Sequence, residues 1–177
     1  MKKNNSKKRM ENSLWNTIEA DSIYASDKAL YNNHIIEQYK MYVEMADRIS
    51  ARRNLANVFF LSLHSLCVST ICFFIEKVAL INPKWIILFP LLIVILFSLI
   101  WWWLLTSYRN LNSAKYKVIG HLEQKLPSSP YWSAEWKELG EGQDIKKYLP
   151  ITALENYVPI MFTVMYLMLG LYILFTQ

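Results

Sequence analysis

Residues 44–74 read EMADRISARRNLANVFFLSLHSLCVSTICFF, and the chemistry of this stretch changes at Arg53. Before that point Glu44, Asp47, Arg48, Arg52 and Arg53 crowd together. After it no Asp, Glu, Lys or Arg occurs until Glu76. A helix rises about 1.5 Å per residue, so about 20 apolar residues cross a hydrocarbon core about 30 Å thick. Residues 55–75 have that length. Arg48, Arg52 and Arg53 then stand at the membrane surface, where anionic headgroups attract them. The run still contains Asn57, His64 and the serines Ser62, Ser65 and Ser69, which hydrocarbon cannot hydrogen-bond.

Two further runs repeat the pattern, at residues 85–106 and 157–176, and neither contains Lys or Arg. Over the 177 residues, 54% are hydrophobic and 19% charged, against about 25% charged in a typical soluble chain. The predicted fold class is all-α: a polytopic integral membrane protein with three transmembrane helices and a helical cytoplasmic portion. The connector between the first two spans is short and holds Pro83, as a tight reversal requires. Ten of the 19 basic residues precede residue 55, seven fall between 107 and 156, and Lys77 and Lys84 occupy the connector. Basic loops stay in the cytoplasm. The expected location is therefore the bacterial cytoplasmic (inner) membrane, N-terminus inside and C-terminus outside. The formal charge of +5 is juxtamembrane charge on this reading, and no nucleic-acid partner is expected. The polar first 54 residues offer no apolar signal core. Cys67 and Cys72 lie on different faces of one span and read as small apolar side chains.

The segments divide accordingly: a basic, largely disordered tail over 1–25, with a weak amphipathic signal at Leu14, Trp15 and Ile18; a cytoplasmic helix over 26–54 continuous with the first span over 55–75; a second span over 85–106; a cytoplasmic helical unit over 107–156; and a third span over 157–176. In the cytoplasmic helix Ile35, Tyr39, Tyr42, Ala46 and Ile49 recur at steps of four and three, the spacing of a packing seam. This seam is expected to join copies of the chain, or alternatively to pack on the chain's own cytoplasmic unit. Glu44 and Arg48 form a favourable i,i+4 pair. The helix from the second span is expected to end at Pro127, with Gly120 weakening its middle. Trp132 and Trp136 share a face, as a cover for the joint between helices or as a partner surface. Trp101, Trp102 and Trp103 read as interfacial anchors, Pro90 as a kink, and Thr152 with Glu155 as a capping box opening the third span.

No zinc motif, glycine-rich phosphate loop or nucleophile elbow is present. The chain is expected to be no enzyme and to need no cofactor or metal. Asn57 and His64 are seven apart and share a helix face. His64 is either a neutral, hydrogen-bonded bridge between helices or a proton-responsive position facing a neighbour or lumen. The serines are expected to bond their own backbone carbonyls.

The stretches EQYKMYVEMADRISARRNLANVFF, NSAKYKVIGHLEQKLP and YLPITALENYVPIMF resemble the RipA family of bacterial cytoplasmic-membrane proteins. That resemblance implies a small multi-span homo-octamer with a role in adaptation inside hosts and no assigned chemistry. The run Y-x-x-x-A-D-x-x-S-x-R-R is similar, more loosely, to SLATT domains, which implies a pore. Two functions follow: a self-assembling structural or scaffolding membrane protein, and a pore or ion path gated through the cytoplasmic helices. The partners expected are further copies of the chain and a bilayer with anionic headgroups.

Overall fold

The computed structural model describes residues 13–16, 23–78, 85–142, 147–148 and 151–175. The connector with Pro83, the first 12 residues and Ile18 lie outside them. All regular structure among the described residues is helical: α1 (Ile23–Ser26), α2 (Lys28–Val78), α3 (Trp85–Glu123), a wide turn (Pro130–Glu135), α4 (Trp136–Glu138), a tight turn (Gly140–Gly142), α5 (Ile151–Glu155) and α6 (Tyr157–Phe175). Three of these helices are long and apolar enough to cross a membrane. The chain is an all-α membrane protein.

Helix α2 begins where the sequence provides a cap. Asp27 lies just outside it, and its Oδ1 accepts from the Leu30 backbone N–H at 2.9 Å, filling one of the donors a helix start leaves open. No Gly or Pro interrupts the 51 residues that follow, so one helix carries both the water-facing and the apolar sequence. Helix α3 ends with tight bonds from Lys125 N–H to the Leu122 carbonyl and from Leu126 N–H to that of Glu123, just before Pro127 rules out helix. Pro90 lies inside α3, which continues through it.

The chain forms two compact units. The first combines the chain up to Arg48 with Asn112–Tyr148. Within it the start of α2 and the end of α3 run antiparallel: Tyr39 meets Glu123, and Tyr42 and Met45 meet Lys115. Ile35, Ala46, Ile119 and Leu122 are buried. Gly120 is explained here, because the Trp132 ring fills the space a Cβ would occupy. Gly140, Glu141 and Gly142 all have positive φ, and the Trp136 ring lies about 3.2 Å from where a Gly142 Cβ would be. Two residues of the segment expected as a disordered tail, Trp15 and Tyr24, also make contacts: Lys125 lies over the Trp15 ring, and the Tyr24 hydroxyl meets His34 Nδ1 at 2.7 Å.

The second unit is Ile49–Leu111 with Leu149–Gln177. Its apolar helices pack around Leu91, Trp101, Leu105 and Tyr166. Gly170 lets α6 close on α3, since a Cβ there would stand 3.0 Å from Leu91 Cδ2. Leu55, Phe59, Phe89, Trp103, Met161 and Phe175 face outward. Each such side chain in water forgoes about 1.5–3 kcal/mol of burial, so the solvent of this unit is lipid.

Three expectations change. Ile35, Ala46 and Ile49, the core of the seam, are buried within a single chain, and Tyr39 bonds Glu123 of its own chain; heptad spacing fixes a face but does not say whose surface covers it. Thr152 is inside α5 instead of preceding a helix, and Glu155 pairs with Arg53 instead of closing a capping box. The three tryptophans also divide: Trp101 is buried, whereas Trp102 and Trp103 are exposed.

Candidate functional site

The polar residues of the first span meet inside the second unit. His64 is 0% exposed. Its Nδ1 lies 3.1 Å from the Tyr166 hydroxyl on α6, and its Nε2 lies 3.4 Å from Ser98 Oγ on α3. A neutral imidazole offers one donor and one acceptor, and hydroxyls can take either role. Both ring nitrogens therefore find partners, and the three spans share one bridge. The ring is stacked against Trp101 and Phe162, with centroids 5.6 and 5.0 Å away.

Trp101 extends the cluster. Its Nε1–H donates to Asn57 Oδ1 at 3.0 Å, and its ring stacks on Phe60. Asn57, Phe60 and His64 thus form one stripe of α2, read by a single indole. An amide or hydroxyl left unpaired in an apolar medium costs about 2–7 kcal/mol, which these bonds avoid. Ser69 behaves as expected of a membrane hydroxyl, its Oγ donating to the Ser65 carbonyl, and Thr70 on the next position donates to that of Leu66.

Arg53 Nε lies 3.1 Å from Glu155 Oε2, with both side chains mostly buried. Arg53 is thus neutralised within the chain and is not a free lipid contact. Arg52 is exposed. Arg48 is exposed and makes the expected pair with Glu44 at 2.7 Å.

A second polar centre lies in the first unit. The Glu123 side chain is 1% exposed. Its Oε1 accepts from the Tyr39 hydroxyl and the Tyr131 backbone N–H, and its Oε2 from the Ser129 hydroxyl and the Trp132 N–H, all at 2.7–3.1 Å. Four donors satisfy a carboxylate and tie the turn at Pro130 to the end of α3. Burial above all, and then the Glu123 charge and hydrogen bond, raise the Tyr39 phenol to about 12, so it remains a donor.

The sequence reading places Asn57 and His64 together but misses Ser98, Phe162, Tyr166, Glu155 and Glu123. Tyr166 and Ser98 carry a usable signal, since each is a hydroxyl in an apolar run. Glu123 carries none, because its sequence surroundings are those of any solvated acid. No group of three potential metal ligands occurs among the described residues. The centres described are hydrogen-bonded anchors: they hold helices and a turn in place.

Residues 36–175 match the family model of the octameric membrane protein family (8xMP). No curated protein and no solved structure matches.

Proposed function

Because the chain belongs to the octameric membrane protein family, we propose that it assembles as a homo-octamer in the bacterial inner membrane and acts there as a non-enzymatic scaffold. The observation that carries this reading is the internal closure of the polar groups. His64 with Tyr166 and Ser98, Asn57 with Trp101, and Arg53 with Glu155 are all partnered within one chain. Each copy is a finished three-helix block, and its outward side chains remain for lipid and for neighbouring copies. The likeness to RipA supports a role in membrane adaptation during growth in a host. The basic-residue distribution supports an N-terminus in the cytoplasm and a C-terminus outside.

The pore reading of the SLATT likeness requires a path between copies, since His64 is sealed inside each one. Mass measurement in nanodiscs tests the main proposal. The expected value is eight times the chain mass of 20.9 kDa; a monomer at every concentration overturns it. Ion flux through liposomes holding the pure protein would shift the reading to a pore.

A further inference from the structure

We infer that the face of helix α2 bearing Ser62, Ser65 and Ser69 packs against a second copy of the chain within the membrane. This inference rests on the self-assembly reading above and places the contact on one helix face. The three serines are exposed and lie inside the first span. At about 100° of turn per residue, Ser62 stands on the side of α2 opposite His64. The face is therefore turned away from the bridge that His64 makes to α3 and α6.

The hydroxyls distinguish this face from the other outward surfaces. Ser69 donates to the Ser65 carbonyl and Thr70 to that of Leu66. Among the described residues, nothing partners the hydroxyl of Ser62 or that of Ser65. Inside a bilayer an outward hydroxyl is as far from water as a buried one, and lipid tails neither donate nor accept. A neighbouring membrane helix offers side-chain and backbone partners. Among the described residues of the three spans, the exposed Ser and Thr side chains all lie on α2. The outward residues at the middle of α3 and α6, such as Leu92, Leu96, Val164 and Met168, are large and apolar, and lipid tails cover them as well as protein does.

Shape points the same way. Val58, Ser62, Ser65, Ser69 and Cys72 follow at steps of four and three, the spacing of a packing seam, and all are exposed. Ser65 and Ser69 have the small-x-x-x-small spacing that lets two membrane helices bring their backbones close. Phe59, Leu66 and Phe73 recur every seven residues beside them, 61%, 66% and 81% exposed. They form a ridge that borders a shallow groove floored by the serines. An acyl chain can fill that groove but leaves the hydroxyls unmet. The occupant is a second copy because the chain belongs to a family of octamers. In an octamer each copy adjoins another through its outward surface, and the unmet hydroxyls mark where.

Mass measurement in nanodiscs tests this, using the full chain with Ser62→Leu and Ser65→Leu. Bulk in the groove is expected to lower the assembly mass below that of wild type. If lipid covers the face, the same change only adds apolar surface to a lipid contact. An unchanged mass would therefore overturn the inference while leaving self-assembly standing. A second measurement keeps the serines intact, so misfolding of the leucine variant cannot imitate it. A benzophenone amino acid in place of Leu66, irradiated in membranes, is expected to give a covalent product of two chains. Products with lipid alone, or with a different protein, would also overturn the inference. A wild-type chain that is monomeric at every concentration would instead defeat the self-assembly reading, and this inference with it.

Discussion

A histidine in a helix of hydrocarbon length needs a partner for each ring nitrogen, because lipid supplies none. His64 meets both on other helices, at Tyr166 and Ser98, which is the geometry that the interhelical-bridge reading calls for. Tyr166→Phe removes one bond while keeping the ring, so helix association should weaken by about 0.6–1.7 kcal/mol, the usual range for hydrogen bonds between membrane helices. Thermal unfolding in nanodiscs measures this, and a wild-type midpoint would show that the contact adds nothing. Tyr39 provides a pH-dependent counterpart outside the spans. Its phenol holds its proton more tightly in the folded chain, with a value of about 12 against an ordinary 10. Its stabilisation is therefore complete below about pH 10 and is lost as pH rises from about 10 to 12. Tyr39→Phe should flatten the alkaline unfolding curve in that window; an unchanged curve would place the titration elsewhere.

Among the helices, residue type and spacing revealed more than residue partnership. The spans, the continuity of α2 and the Glu44–Arg48 pair could all be read from charge and periodicity. The role of Gly120 could not. Read locally, a glycine inside α3, here in its last turn, is a defect worth up to about 1 kcal/mol against alanine. In the structure it is the floor under Trp132, 12 residues away in the chain. The Trp101–Trp103 run and the seam resist local reading for the same reason, since each depends on which residue another helix brings to its face. Gly120→Ala should therefore destabilise the first unit despite its better helix propensity. Gly120→Ala with Trp132→Ala should recover part of the loss, since the second change removes the clash. Limited proteolysis between residues 124 and 142 reads both effects. If the single variant is more resistant to cleavage than wild type, propensity outweighs the contact.

For the whole molecule, the decisive quantity is the position of charge relative to the three apolar helices. Ten basic residues precede the first span, two lie in the connector and seven lie between the second and third spans. A charged side chain at the bilayer centre costs about 2.5–3.5 kcal/mol on insertion scales, so none of the charged segments can remain within the hydrocarbon. Three spans would put the segments before the first and after the second on one side, and the proposed orientation takes that side as the cytoplasm because basic residues are retained there. Arg53 adds a structural argument. It is tied to Glu155 within one unit, so the start of the first span and the start of the third lie at the same membrane surface. Thiol labelling in intact cells checks this, in a chain with Cys67→Ser and Cys72→Ser. Gln177→Cys should react with an impermeant reagent from outside, and Lys8→Cys should react only after the membrane is permeabilised. Equal labelling of both from outside would mean an even number of crossings. One of the three apolar helices would then have to lie in the interface, and the pairing of Arg53 with Glu155 would need a different explanation.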